Sequence, residues 1–423
     1  MSKFIITGPA ELKGEIEVKG AKNAALKIIP ASILSTEKIT ITNLPQIEDV
    51  KLSLALLEDL GAKIDYPRPD TVIVDPSGIT KTELNPIFAN KFRASVMFVA
   101  PLLARFGEVK FPHPGGCVIG AGKRDIDIFL DGFATMGVQT DLKEDHYHLK
   151  AKGGLKGGEF FFYKNISVTT TEAMIMAAVL AKGKTVLKNC AMEPEIAALA
   201  EYLNEQGAKI TGAGTPTITI EGVDKISAGD FTVMPDRIET GSFAILAAAT
   251  RSEILIKNCV PEHIRVLLEI FKHRLDVPFE EGANWLKIKP AKKIMPYNIK
   301  THEYPGFPTD LQSPYTVLMT QAEGSSLIHE TIYDRRLLYT DLLSQMGADI
   351  IMCDPHRVVV NGPTKLRGRK LTSPDLRAGI ALIIAALTAE GRTEIDNIYQ
   401  IERGYENIAE RLNALGADIR KVD

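Results

Sequence analysis

Leu203-Asn-Glu-Gln-Gly-Ala-Lys-Ile-Thr211 reads as the end of a leucine-rich helix, a glycine turn and the start of an alternating strand. The phrase recurs as Leu56-Leu-Glu-Asp-Leu-Gly-Ala-Lys-Ile-Asp65, Phe133-Ala-Thr-Met-Gly-Val-Gln-Thr-Asp141, Leu343-Ser-Gln-Met-Gly-Ala-Asp-Ile-Ile351 and Leu412-Asn-Ala-Leu-Gly-Ala-Asp-Ile-Arg420. A degenerate copy, Phe271-Lys-His-Arg-Leu-Asp-Val-Pro-Phe279, fills the remaining gap. Gly61, Gly137, Gly207, Gly347 and Gly416 are the expected residues just past a helix C-terminus, where left-handed geometry costs glycine nothing. Upstream lies a second phrase, an alanine-rich helix running into a β-branched strand. Examples are Ala177-Ala-Val-Leu-Ala-Lys-Gly-Lys-Thr-Val-Leu-Lys-Asn189, Ala247-Ala-Ala-Thr-Arg-Ser-Glu-Ile-Leu-Ile-Lys-Asn258 and Ala385-Ala-Leu-Thr-Ala-Glu-Gly-Arg-Thr-Glu-Ile-Asp-Asn397.

Each repeat is thus strand–helix–strand–helix–strand, about 70 residues long, and six copies divide into three per lobe. The expected fold class is α/β with two similar lobes, residues 22–229 forming the first and residues 1–21 with 230–423 the second. The strands near Phe4-Ile-Ile6 and Ile16-Glu-Val18 have no place in the first lobe and are expected to complete the second. Two chain crossings between lobes would make a hinge able to close on ligands.

The composition is that of an ordinary globular chain: 423 residues, 45% hydrophobic and 24% charged. A net charge of -3 leaves no basic excess for a phosphate backbone, so a nucleic-acid partner is not expected. No apolar run is long enough for a membrane span, and Phe4-Ile-Ile6 before Gly8-Pro9 is too short for a signal peptide. Four cysteines, Cys117, Cys190, Cys259 and Cys353, are widely spaced without zinc or redox pairing, as suits a reducing cytoplasm. With no P-loop, dinucleotide fingerprint or metal-ligand cluster, no cofactor and no metal are expected.

One loop carries reactive potential. His113-Pro-Gly-Gly-Cys-Val-Ile-Gly-Ala-Gly-Lys-Arg124 places Cys117 among glycines with Lys123 and Arg124 downstream, a setting that favours a thiolate and close approach to an anion. A plain surface turn with an incidental cysteine reads equally well. His113 lacks a neighbouring carboxylate and reads as loop surface. Basic residues also recur at matching points of the repeats: Lys22, Arg93, Arg237, Arg336, Arg377 and Arg403. Gathered in one cleft they would suit a small ligand bearing carboxylate and phosphate. Asp310, after Tyr304-Pro-Gly-Phe-Pro-Thr309, reads either as a helix N-cap or as a general base. Asp236 and Glu239 read as structural partners of Arg237.

Lys22-Asn23, Pro114-Gly-Gly-Cys-Val-Ile-Gly-Ala121, Pro235-Asp-Arg-Ile-Glu-Thr-Gly241, Phe307-Pro-Thr-Asp310, Asp375-Leu-Arg377 and Ile401-Glu-Arg-Gly-Tyr-Glu406 together resemble one family nearly end to end. It is the enolpyruvyl transferase family of UDP-N-acetylglucosamine 1-carboxyvinyltransferase. The resemblance to 5-enolpyruvylshikimate-3-phosphate synthase is weaker, since that enzyme lacks the Pro-Gly-Gly-Cys loop. The likeness implies the family's inside-out α/β barrel lobes. It also implies transfer of the enolpyruvyl group of phosphoenolpyruvate to the 3′-hydroxyl of UDP-N-acetylglucosamine, by addition and elimination; a cytoplasmic monomer is expected. Cys117 matches the acid that protonates the phosphoenolpyruvate methylene and that fosfomycin attacks. Asp310 matches the base at the sugar hydroxyl, and Lys22, Arg124 and Arg403 match the cations on phosphoenolpyruvate. Arg93, Arg336 and Arg377 match further substrate arginines, Asn23, Ser167 and Val168 match binding positions, and Ile332 matches a backbone contact to the sugar. Departures are Gly122-Lys123 inserted before Arg124, Phe129 for histidine, Met97 for tryptophan, Thr169 for glycine, and Lys164 one residue out of register. These leave open another nucleotide sugar as acceptor, or an inactive nucleotide-sugar-binding regulatory paralogue.

Overall fold

A computed structural model of the chain describes residues 2–113 and 126–422. Cys117, Lys123 and Arg124 lie outside the described residues. The chain divides into two compact units, one holding residues 2–19 and 235–422, the other 20–113 and 126–234. Each unit has its own apolar core. The division falls after Lys19 and after Met234, a few residues from the expected boundaries. Phe231–Thr232 pairs in parallel with Ile39–Thr42, and the Ala21 amide donates to the Met234 carbonyl at 2.7 Å, so residues 230–234 stay with the chain that begins at Gly20.

The sheets share one plan, three to a unit. A short strand runs parallel to the strand after the alanine-rich helix, and two antiparallel strands follow across the sheet. Glu159–Phe161, Lys184–Lys188, Thr217–Glu221 and Lys209–Thr211 show it in full. In the sheet built on Glu108–Pro112 the parallel strand shrinks to a single bridge between Glu83 and Lys110. In the last sheet Lys3–Gly8 fills the third place, between Gly391–Asp396 and Asp418–Val422. Every sheet is open, and none closes into a barrel among the described residues.

Helices form the interior. Every residue of Arg237–Ala249 is buried, as is nearly all of Val168–Val179 and Leu376–Thr388, while strands such as Lys184–Lys188 alternate buried and open positions. A helix buried on every side beside an alternating strand gives this layering, because the strand has a face to spare for water and the helix does not.

The turn glycines take positive φ, from 82° at Gly137 to 116° at Gly61. In the degenerate copy Asp276 adopts φ 58° at the same point. Aspartate tolerates this region better than most residues, which explains how the unit survives without its glycine. Two locking devices recur. Asn204 and Asn413 each exchange a pair of side-chain bonds with the backbone of the strand beyond the turn, at Ile210 and Ile419. Asn43, Asn189, Asn258 and Asn397 all take positive φ at strand ends, and their amides donate to Val233, Phe162, Val18 and Ser373 carbonyls on the parallel neighbour.

These turns can be tested by substitution. A methyl group at Gly207 meets nothing within 4 Å, so Gly207→Ala is expected to cost only backbone strain, about 1 kcal/mol in urea unfolding. At Gly61 the methyl would stand 2.5 Å from the Gly78 carbonyl oxygen, so Gly61→Ala should lose clearly more. Equal losses would contradict the assigned geometry.

Candidate active site

Helix ends set the positions of the charged residues. A helix buried along its length leaves its first amide groups without water, and in three such helices a side chain accepts from them. Asp236 does so for Arg237–Ala249, taking the Ile238 and Glu239 amides at 2.7 and 3.1 Å. Asp375 does so for Leu376–Thr388 at 2.8 and 3.0 Å, and Ser167 accepts from Thr170 at 3.2 Å. Each cap fixes the turn it opens: Arg237, Arg377 and Val168 all stand in the first turn of a capped helix.

In the unit containing residues 235–422, Asp310 meets two arginines. Its Oδ1 lies 2.9 Å from Arg336 Nη2 and its Oδ2 lies 2.9 Å from Arg377 Nη2. Both guanidiniums are nearly enclosed, whereas the Asp310 side chain keeps 26% exposure. It therefore faces outward from a cationic socket. Burial works against its charge, but Arg377 and Arg336, with a contribution from Arg237, hold the carboxyl well below the usual carboxylate range. Asp310 does not cap a helix: Gln312–Met319 begins after a 3-10 turn, Thr309–Leu311, and has no side-chain cap. The N-cap alternative is corrected here, because both carboxylate oxygens are committed to arginine.

Arg336 also donates through Nη1 to Thr309 Oγ1 at 3.0 Å and stacks over Tyr333 at 5.2 Å. Arg237 lies over the Tyr304 ring at 5.7 Å, in the wall of a cavity of about 250 Å³ shared with His263 and Pro308. Arg403 is 7% exposed and donates to Gln400 at 3.3 Å. The Ile332 amide is committed to Glu330 Oε1 at 2.9 Å. Glu239 pairs with Arg411 at 2.7 Å rather than with Arg237. That is a second correction, since the adjacent arginine starts the helix and points elsewhere while Arg411 reaches in from a distant helix.

In the other unit, Lys22 opens the helix Lys22–Ala31 and pairs with the buried Asp49 at 2.8 Å. One turn on, the enclosed Lys27 bridges the Asn23 carbonyl at 3.1 Å and Glu172 at 2.8 Å. Burial pushes the Glu172 carboxyl up to about 7, with Lys27 opposing. The pair ties the helix start at Lys22 and Asn23 to the helix that Ser167 and Val168 open. Arg93 begins a 3-10 helix, Arg93–Phe98. Lys164 lies in the open, 3.7 Å from Asp127. His113 is exposed and packs edge-on against Tyr147. Met97 and Phe129 are 0% and 2% exposed, core residues of this unit, whereas Thr169 remains partly open in its helical first turn. Of those departures among the described residues, Thr169 and Lys164 are thus the two that are not core residues.

Cys190 and Cys259 are buried, and burial pushes both thiols up to about 12, so neither is poised to react. Among the described residues no cluster of three or more His, Cys, Asp or Glu side chains could hold a metal ion. None of their helices is long and apolar enough to cross a membrane. Sequence reading missed Thr309, Glu330, Lys27 and Glu172. The repeat phrase gave no signal for the first two, and nothing in the sequence pairs Lys27 with Glu172.

The model of the family EPSP synthase (3-phosphoshikimate 1-carboxyvinyltransferase) matches residues 6–412. Proteins named UDP-N-acetylglucosamine 1-carboxyvinyltransferase are similar throughout. Those of Halothermothrix orenii and Desulforapulum autotrophicum are each 43% identical over 422 residues, covering 100% of both chains. That of Finegoldia magna is 40% identical over 413 residues, covering 97% of each. Among solved structures, the enolpyruvyl transferase NikO from Streptomyces tendae superposes with a TM-score of 0.90 at 23% identity, covering 100% of this chain and 99% of its own. EPSP synthase from Acinetobacter baumannii gives a TM-score of 0.77 at 18% identity, with full coverage of both. These two likenesses speak to the fold.

The two ion pairs make a stability prediction. Asp310 has a lowered native pKa, so its contribution is complete above the unfolded carboxyl value, about 3.9, and fades as pH falls toward the native one. Asp310→Asn is expected to lose about 2 kcal/mol at neutral pH, less than a fully enclosed pair would. The gap to wild type, followed by thermal melting, should hold from about pH 8 to 5 and narrow below about pH 4. A gap that widens in acid would contradict the ion-pair assignment.

Proposed function

Because the chain belongs to the EPSP synthase family, alongside full-length relatives named UDP-N-acetylglucosamine 1-carboxyvinyltransferase, we propose that it transfers the enolpyruvyl group of phosphoenolpyruvate to the 3′-hydroxyl of UDP-N-acetylglucosamine. Phosphate is released, and the product enters peptidoglycan synthesis. The observation that carries the reading is the outward-facing Asp310 carboxylate held by Arg336 and Arg377, in a chain 43% identical to such transferases from end to end.

In this reading Lys22, Arg124 and Arg403 hold the anionic groups of phosphoenolpyruvate, and Arg93, Arg336 and Arg377 complete the positive surroundings. Asn23, Ser167, Val168 and the Ile332 backbone position the nucleotide sugar. Asp310 takes the proton of the 3′-hydroxyl as its oxygen bonds to C2 of phosphoenolpyruvate. Cys117 delivers a proton to C3, giving a tetrahedral intermediate that still carries phosphate. Loss of a C3 proton and cleavage of the C2–O bond to phosphate then yield the enol ether. With both arginines on it, Asp310 is a weak base. A ligand anion that draws on Arg336 or Arg377 releases its lone pairs, so substrate binding itself raises the base strength. Fixed cations around the developing charge need no reorganisation during the reaction.

We place the protein in the cytoplasm, where widely spaced cysteines without disulfide pairing suit a reducing compartment, and acting as a monomer. A second reading, the same chemistry on a different nucleotide sugar, is favoured by Thr169, whose side chain adds bulk at the first turn of Val168–Val179. A binding-only paralogue would have no need of the Asp310 socket.

Phosphate release from phosphoenolpyruvate, followed with a panel of UDP-sugars, tests this. Release that requires UDP-N-acetylglucosamine is expected. Asp310→Ala should lower kcat by about 100- to 10,000-fold, and Cys117→Ser should abolish mass addition by fosfomycin. Release with another sugar alone would move the acceptor. Absence of release with every sugar would end the enzymatic reading.

A further inference from the structure

Glu330 lies immediately beyond the strand Gly324–His329 and is wholly enclosed, at 0% exposure. An enclosed carboxylate is costly unless its oxygens are saturated with donors. Here the donors come from two places. The Ile332 and Tyr333 amides donate to Oε1 at 2.9 and 3.1 Å, closing the turn 330–333. The Thr309 hydroxyl lies 2.9 and 2.8 Å from the two oxygens and donates its single proton between them. With its proton so engaged, Thr309 Oγ1 turns a lone pair toward Arg336 Nη1 at 3.0 Å. The other Arg336 terminal nitrogen holds Asp310 at 2.9 Å. The backbone of Glu330 is pinned as well, its amide donating to the His356 carbonyl at 2.8 Å.

We propose that Glu330 is a positioning residue for enolpyruvyl transfer, a clamp that sets the Ile332 turn and, through Thr309, the angle at which Arg336 grips Asp310. This rests on the roles given above to Asp310 and Ile332. The clamp has two limbs with separate consequences. The amide limb fixes the backbone that meets the sugar, so its loss weakens nucleotide-sugar binding. The hydroxyl limb fixes the base and its arginine, so its loss slows the chemical step, which is sensitive to displacements near 1 Å. Glu330 also adds its negative charge to that of Asp310 beside Arg336.

Steady-state kinetics of Thr309→Val, Thr309→Ser and Glu330→Ala, each checked for folding by circular dichroism, separates the limbs. Thr309→Val cuts only the hydroxyl limb. It is expected to lower kcat by about 100-fold with KM for UDP-N-acetylglucosamine within about twofold of wild type, and Thr309→Ser should restore the rate. Glu330→Ala cuts both limbs, lowering kcat and raising that KM, and adding Thr309→Val to it should cost no further kcat. Wild-type kcat in folded Thr309→Val, or failure of serine to rescue, overturns the proposal even if Glu330→Ala does not fold. A stability cycle of Thr309→Val against Asp310→Asn reads the linkage without turnover: non-additive losses are expected, and additive losses overturn it. Wild-type inactivity in the kinetic arm would overturn the assigned reaction alone, leaving the cycle to decide the clamp.

Discussion

A helix with no face toward water must find protein partners for the amides of its first turn, and this structure meets that constraint with Asp236, Asp375 and Ser167. Most of the remaining architecture depends on it. The helices form the interior because their alanine- and isoleucine-rich surfaces can go nowhere else, and the sheets cover them with one face each. The capped ends are the places where polar groups are tolerated inside such a lobe. Arginines that start or approach these helices sit close to fixed acceptors, which keeps them ordered without an external ligand. The caps are thus where fold and candidate chemistry meet.

The electrostatics of the Asp310 socket are a balance rather than a simple attraction. Two enclosed guanidiniums share the Asp310 carboxylate, which is partly open to solvent, while the enclosed Glu330 acts on Arg336 and the buried Asp236 on Arg377. An enclosed arginine cannot shed its charge, so it must keep an anion close at all times. Asp310 fills that need for Arg336 and Arg377, and under the proposed reaction the same pairs restrain it as a base until an arriving anion takes over part of that role.

Much of this was legible in the chain. The recurring Leu-x-x-x-Gly-Ala phrase marked four of the six turns, the Phe133 copy kept the glycine, and Asp276 occupies the left-handed position of the one copy that lost it. The cations themselves were visible too; Lys22, Arg93, Arg237, Arg336 and Arg377 stand in opening helical turns, whereas Arg403 follows the end of Tyr399–Glu402. What stayed hidden depends on contacts between distant segments. Thr309 and Glu330 are 21 residues apart and meet only because a strand returns beside the 3-10 turn. Lys27 and Glu172 read as surface charges on their own helices until folding encloses both. Met97 and Phe129 looked like changes in a ligand site, yet an apolar side chain beside a large core packs into it, and both do. The asparagines at 189, 258 and 397 closed three quoted phrases, but the left-handed geometry they share with Asn43 appears only with the parallel neighbour in place.

The placement of Lys3–Gly8 between Gly391–Asp396 and Asp418–Val422 has a consequence for synthesis. The three sheets of the unit within residues 20–234 draw all their described strands from that run, so they can pair while later residues are still being translated. The strand that emerges before it must wait, with its edge groups unmet, until nearly 400 more residues have appeared. The neighbouring strand Lys13–Glu17 finds Glu253–Lys257 sooner and tethers the waiting segment to the growing lobe. The order of assembly is therefore written into the topology: the inserted lobe first, the split lobe last, with an unsatisfied β-edge that nascent-chain chaperones would be the first to meet.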